Sequence, residues 1–166
     1  MNLFLYGPPG SGKSTVGKEL ARKLSTHHVD LDTEFERLYE VRIPDFIKHY
    51  GISVFRVLES QTLLSVIQNS RSRVISLGGG SLLDEENVRR IYRSKGRIIS
   101  LSGPIGLLLE RIMADTINVR PLAQNANDFR NLMHTRGMHY QSFNPRFPIE
   151  GRTPQEIASD ILGFLL

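Results

Sequence analysis

Residues 7–14 read Gly7-Pro8-Pro9-Gly10-Ser11-Gly12-Lys13-Ser14, the pattern Gly-x-x-x-x-Gly-Lys-Ser. No other feature narrows what this chain can fold into as much. The motif follows Leu3-Phe4-Leu5-Tyr6, an apolar run that reads as a buried strand, and precedes Thr15 to Leu24, which reads as a helix. In that strand–loop–helix setting, glycines let backbone N–H groups turn inward and form a concave anion site. The start of the helix adds its positive dipole end. Lys13 can then reach the β- and γ-phosphates of a nucleotide, and Ser14 can place its hydroxyl on Mg²⁺. A chance cluster of Gly, Lys and Ser in a loop would lack both flanks. The motif therefore implies a polyphosphate ligand.

The 166 residues are enough for one domain with a real core, and 40% hydrophobic with 23% charged is ordinary for a soluble globular chain. The absence of Cys excludes disulfides and cysteine metal sites. No apolar run approaches the ~18–20 residues needed to cross a bilayer, and no basic stretch leads into an apolar signal core. The net charge of +4 allows a nucleic-acid binder. The basic residues are scattered, however, and are mostly arginine, which fits arginines gathered around a small anionic ligand better.

Along the chain, strands and helices alternate. Strands are expected at 2–6, near His28-Val29, at Arg73 to Leu77, at Arg97 to Leu101 and at 147–149. The last is flanked by Pro145 and Pro148, so it belongs on an edge. Helices are expected at 15–24, Thr33 to Tyr39, Pro44 to Tyr50, Val54 to Asn69, Asp84 to Ser94, Pro104 to Met113, Asp128 to Gln141, and from Thr153 to the end. Residues 114–126 look irregular. Strands joined by helices imply a parallel sheet covered on both faces, with ligands gathered beyond the carboxyl ends of the strands. The phosphate loop, Asp30/Asp32 and Gly78-Gly79-Gly80 all fall at such ends.

A phosphate loop does not say what receives the phosphoryl group. Asp30 and Asp32, two apart on extended chain, would point the same way, one toward Mg²⁺ and the other toward the proton of an attacking hydroxyl. Asp32 as a helix N-cap is the plainer alternative. Arg56 and Glu59 stand one helical turn apart, either as an ordinary surface pair or as an arginine held rigid to grip a carboxylate. The three glycines 78–80 permit close backbone approach by a small ligand. Arg120, in the irregular stretch, could fold over the phosphates, and Arg136 is a second candidate for an acceptor's anionic group. His27 and His28 read as structural.

Taken in order, these residues resemble the shikimate kinases, a small branch of the nucleoside-monophosphate-kinase-like P-loop family. The likeness runs over nearly the whole chain: the Gly-x-x-x-x-Gly-Lys-Ser loop, Asp-x-Asp at 30–32, Phe55-Arg56-x-x-Glu59, Gly78-Gly79-Gly80, Arg120-Pro121-Leu122, and Arg136 followed by Tyr140. The resemblance implies a three-layer α/β fold with a five-stranded parallel sheet, one domain over 1–166, a substrate-binding helical segment at about 31–60 and a lid at about 114–126. It implies transfer of the γ-phosphoryl of ATP to the 3-hydroxyl of shikimate. ATP would lie on Pro9, Gly10, Ser11, Gly12, Lys13, Ser14 and Thr15, with Arg111, Arg120 and Arg152 around it. Shikimate would meet Asp32, Arg56, Glu59, Gly78, Gly79, Gly80 and Arg136. Catalysis would fall to Asp32, Lys13 and Arg120, and Mg²⁺ to Ser14 and Asp30. The implied partners are ATP/ADP and shikimate, with no nucleic acid and no membrane, and the chain is expected to be monomeric and cytoplasmic.

Three departures stand against the family pattern. Gly51-Ile52-Ser53-Val54 lacks an acid before the Phe-Arg pair, Ala123 follows Arg-Pro-Leu, and two prolines bracket the last strand. Ser76 stands where many P-loop proteins carry an acid, which leaves Asp30 as the acidic group near the metal. Two other readings stay open: a related kinase with a gluconate- or nucleotide-type acceptor, and a nucleotide-binding module without catalysis.

Overall fold

The structure, a computed structural model, describes residues 1–69, 71, 73–118 and 120–166. Val119, inside the segment expected to be a lid, lies outside the described residues. In chain order the elements are β1 (Leu3–Tyr6), α1 (Lys13–Lys23), β2 (His27–Asp30), α2 (Leu31–Tyr39), α3 (Ile43–Gln68) and β3 (Arg73–Ser76). Then come α4 (Glu85–Arg93), β4 (Arg97–Ser102), α5 (Ile105–Ala114), α6 (Ala126–Gln141), β5 (Arg146–Pro148) and α7 (Pro154–Leu165).

The described strands form one parallel sheet in the order β2-β3-β1-β4-β5. The connection through α1 runs toward one edge, and those through α3, α4 and α6 run toward the other. Parallel crossovers are right-handed, so α1 covers one face and α3, α4 and α6 the opposite one. Helix α7 closes the third layer by packing on α1. The central strand β1 is buried on every residue, as a strand covered on both faces should be. Strand β5 lies on the edge beside β4, where Pro148 costs no ladder hydrogen bond that a central strand would need.

The register fixes where ligands can go. Asp30 lies opposite Ser76, Leu5 also faces Ser76, and Tyr6 faces Ser100. The loops after β1, β2 and β3 therefore leave the sheet at one level and share one edge.

Two local expectations change. Strand β2 stops at Asp30 and α2 begins at Leu31, so Asp30 and Asp32 do not sit side by side on extended chain. Asp30, not Asp32, is the N-cap: its Oδ1 accepts from Asp32 N at 3.1 Å and Thr33 N at 3.2 Å. Asp32 stands in the first turn of the helix, and it is the helix geometry that turns it toward the sheet edge. The two helices expected at 44–50 and 54–69 form one element, broken at Gly51 with φ 84° and ψ 165°. Around that break Phe35, Phe46 and Phe55 make a small aromatic core of their own, separate from the main core under the sheet. Phe35 meets Phe46 at 5.4 Å and Phe55 at 5.0 Å, both edge to face.

Candidate active site

The loop between β1 and α1 is held by contacts that only glycine permits. Gly10 has φ 78°, and a Cβ there would lie 2.9 Å from the Leu108 carbonyl of α5. The Lys13 ammonium arches back over the loop, donating to Gly7 O at 2.9 Å and Pro8 O at 3.0 Å. Burial lowers its pKa to about 8, with Asp32 and Asp30 pulling upward and Arg120 adding to the fall. Ser14 donates its hydroxyl to Asp30 Oδ2, so one carboxylate both caps α2 and holds the serine at the start of α1. Ser76 donates to Lys13 O at 2.9 Å and pairs with His28 Nε2 at 2.8 Å, tying β3 and β2 to the first turn of α1. Ser11 Oγ is buried with no protein partner. Thr15 is exposed on the outer side of the first turn, and Arg111 reaches Gly10 O from α5 only at 3.5 Å.

Beside this loop opens a cavity of about 330 Å³. Pro9, Ser14 and Asp30 form its nucleotide side. Asp32, Arg56, Glu59, Gly78, Gly79, Gly80, Arg120 and Arg136 are among the residues that line the rest. The two arginines come from α3 and α6, far apart in sequence, yet both reach the cavity that holds Asp32.

Arg56 is fixed in place. Its Nη1 donates to Glu59 Oε1 at 2.7 Å, and its guanidinium lies 5.2 Å from the Phe55 ring centre. Glu59 is only 2% exposed, and its second oxygen accepts from Ser81 Oγ at 2.9 Å. Glu59 is buried and Arg56 is 28% exposed, whereas the arginines of the i,i+3 pairs Arg22–Glu19 and Arg37–Glu34 are 69% and 65% exposed. The glycines serve these charges. A Cβ on Gly80 would stand 2.6 Å from Arg56 Cζ, and one on Gly78 would stand 2.8 Å from Glu59 Oε2. Arg136 lies near Tyr140, and its positive charge opposes the upward push of burial on that phenol.

Asp32 opens onto the cavity and is reached by water there, with protein on its other sides. Burial first, then the like charges of Asp30 and Glu59, push it up to about 7, while Lys13 and Arg56 pull it down. A carboxyl poised there can take a proton near neutral pH. Arg120 pairs with Asp115 at 3.4 Å, and its Nε is buried without a protein partner. Arg152 does not line this cavity; it pairs with Asp160 on α7 and faces a second, open cavity of about 350 Å³ with Gly151 and Gln155.

Sequence reasoning misses Ser81, which fixes the second oxygen of Glu59, and the rim pair Arg42–Glu36 at 2.9 Å. Only its place directly after the glycine run marks Ser81. Nothing in the local sequence marks the rim pair, because a turn of the chain closes it.

A phosphate loop at the sheet edge, joined to an arginine-lined cavity with a carboxyl poised near neutrality, defines a P-loop phosphotransferase for a small anionic acceptor. The family model for shikimate kinase matches residues 9–166. The chain is 37% identical to a shikimate kinase of Persephonella marina over 98% of this chain and 97% of that one. It is 35% identical to a shikimate kinase of Enterococcus faecalis over 97% of this chain and 96% of that one. A solved shikimate kinase from Acinetobacter baumannii in complex with shikimate matches with a TM-score of 0.86 and 30% identity, over 99% of this chain and 92% of that one. The chain belongs to the shikimate kinase family: it is an ATP-dependent kinase acting on a hydroxyl of shikimate.

Proposed function

We propose that this cavity seats shikimate with its carboxylate between Arg56 and Arg136 and its 3-hydroxyl at Asp32. The observation that carries this reading is the meeting of two guanidinium groups, from α3 and α6, in the cavity that Asp32 shares with the phosphate loop. Glu59 and Ser81 keep Arg56 pointed at the acceptor. Asp32 takes the proton of the attacking hydroxyl. Lys13 leaves the loop carbonyls for the β- and γ-phosphates, and Arg120 swings from Asp115 to neutralise charge on the group in transfer. Arg111 and Arg152 flank the base end of ATP. Holding the reactants in line and away from water accounts for ~7–11 kcal/mol of the barrier, since phosphoryl transfer asks little covalent help of the protein.

Mg²⁺ fits Ser14 and Asp30, which present a hydroxyl and a carboxylate side by side, hard oxygens of the kind it prefers. Among the described residues no group of three or more His, Asp or Glu could hold an ion. When bound, Mg²⁺ supplies charge neutralisation at the phosphates.

Purified chain with ATP and Mg²⁺ should release ADP when shikimate is added, and far more slowly with gluconate, other hydroxy-acids or nucleosides. Equal turnover across that panel, or none with shikimate in folded protein, would refute this reading. The segment at about 114–126 acts as the lid and residues 31–60 as the acceptor-binding part of the single domain. Its amides should exchange with deuterium much faster than those of β1 without ligand; protection equal to β1 would exclude a lid. Among the described residues no helix is long and apolar enough to cross a membrane. A cytoplasmic monomer is the state proposed.

A further inference from the structure

At the end of β1 stands a phenol that phosphate binding does not use. Tyr6 is fully buried, one residue before Gly7, and its ring packs edge-on against Phe143 at 5.1 Å and His139 at 5.7 Å. Its hydroxyl lies 3.1 Å from Gly79 O and 2.9 Å from His139 Nε2. The same Gly79 carbonyl accepts from Tyr140 OH at 2.7 Å. One backbone oxygen in the acceptor cavity is thus gripped by two tyrosines, one from the strand that carries the phosphate loop and one from the helix that carries Arg136.

Proton counting limits these contacts. Each tyrosine has one O–H hydrogen, and a carbonyl oxygen has two lone pairs. Tyr140 gives its hydrogen to Gly79 O, and Tyr6 is placed to do the same, which leaves each phenolic oxygen open to accept. Arg136 stands near the Tyr140 hydroxyl, and its positive charge opposes the upward push of burial on that phenol. With the His139 hydrogen on Nε2, Tyr6 accepts it and gives its own to Gly79 O; with Nε2 bare, Tyr6 donates to the histidine instead. The two phenols thus converge on one carbonyl, with His139 against Tyr6 and Arg136 near Tyr140. The Gly79 carbonyl and the Gly80 N–H belong to one planar peptide, so holding the first orients the second. Three consecutive glycines would otherwise be the loosest stretch of the cavity wall. A Cβ on Gly79 would lie 3.3 Å from the Tyr140 hydroxyl, so the same glycine lets the phenol approach.

We infer that Tyr6 and His139 are positioning residues for the acceptor: through Gly79 and Tyr140 they fix the glycine wall and the Arg136 guanidinium in the geometry that binds shikimate. Neither touches the acceptor. This inference rests on the acceptor assignment proposed above, and Arg136→Met keeps the two apart.

The test is steady-state kinetics on Tyr6→Phe, His139→Leu and His139→Gln, with unfolding midpoints recorded alongside. Tyr6→Phe keeps the ring and removes only the hydroxyl. It should raise the KM for shikimate about three- to tenfold, with the KM for ATP and kcat changed by less than about twofold, as loss of one net hydrogen bond at the acceptor alone predicts. His139→Leu should do the same. His139→Gln, whose amide can donate from near the position of Nε2, should recover most of the loss. An unchanged shikimate KM in Tyr6→Phe would overturn the inference, as would a parallel rise in both KM values. A glutamine no better than leucine would also overturn it, since the effect would then be packing. Should Tyr6→Phe fail to fold, the leucine–glutamine pair decides alone. If Arg136→Met raises the shikimate KM and Tyr6→Phe does not, this inference falls and the acceptor assignment stands. If neither raises it, the acceptor assignment falls and takes this inference with it.

Discussion

The two halves of the active site are built by different means. The nucleotide half is centred on one stretch of chain, Gly7 to Ser14, between a strand and a helix that belong to the main core, with Asp30 and arginines added from outside it. Its binding groups are largely backbone N–H donors, set by the turn itself. The acceptor half draws Asp32 from α2, Arg56 and Glu59 from α3, Gly78 to Gly80 from the loop after β3, and Arg136 from α6. Its binding groups are side chains, each held by another side chain, and part of it rests on only three buried phenylalanines. A backbone site tolerates changes in its surroundings as long as its glycines and its helix remain. A converging side-chain site depends on every element that aims a charge. Acceptor-side substitutions should therefore split the two KM values.

The largest break should come where the halves meet. Asp32→Asn leaves the shape but removes the proton acceptor, and kcat should fall about 10²- to 10⁴-fold with ATP binding preserved. The wild-type pH profile follows from the same residue. Its active form is the carboxylate, and its surroundings push it up to about 7. Acidification below that value protonates it, so kcat should drop about tenfold per pH unit there, while the residual rate of Asp32→Asn stays flat. A profile whose acid limb lies near the ordinary carboxylate range, or one that falls as pH rises through 7, would remove Asp32 from this role.

Next comes Arg136→Met, which takes a charged donor from the acceptor and leaves the phosphate loop alone. The shikimate KM should rise about 10- to 100-fold, the worth of a hydrogen bond between charged groups, with the ATP KM within about twofold. Arg56→Met should cost at least as much, because it also leaves the Glu59 carboxylate buried at 2% exposure without its cation. Equal loss of ATP and shikimate binding in Arg136→Met would mean that the halves are not separate.

The same contrast decides what the sequence could reveal. The phosphate loop is legible from spacing alone, because the residues that make it are neighbours in the chain. Strands and helices are legible where period and caps agree, as at Thr153-Pro154-Gln155-Glu156, which forms the capping box its letters suggest. Asp30 and Asp32 mislead because the strand ends one residue sooner than alternation assumes, and a cap replaces the extended pair. Arg56 is marked by its spacing to Glu59 and Arg136 stands as a bare candidate, but their meeting is implied only by the order of motifs along the chain, since no local rule brings α3 and α6 together. Tyr6 is harder still. Read locally it is the last residue of an apolar strand, and its partners at 79 and 139 are supplied by the sheet and by α6.

The smallest effect sharpens the comparison most, because one substitution should act with opposite signs in two places. Gly51 breaks α3 at φ 84° and ψ 165°, a conformation open to glycine and costly to any residue with a Cβ. No atom lies within 4 Å of a Cβ built there, so contacts play no part. Gly163 in α7 also has open space around it, and its backbone is helical. Gly163→Ala should stabilise the protein by about 0.5–1 kcal/mol, by restricting the unfolded chain and suiting the helix. Gly51→Ala should destabilise it by about 1–3 kcal/mol, or shift Pro44 to Tyr50 against the Arg56 turn to relieve the strain. Either way the shikimate KM should rise a few-fold in Gly51→Ala and stay put in Gly163→Ala, with ATP binding unmoved in both. Denaturant midpoints and the two KM values read this together. Stabilisation by both alanines would mean that the break in α3 is not held by its backbone, and that the acceptor half is less strained than the geometry at Gly51 requires.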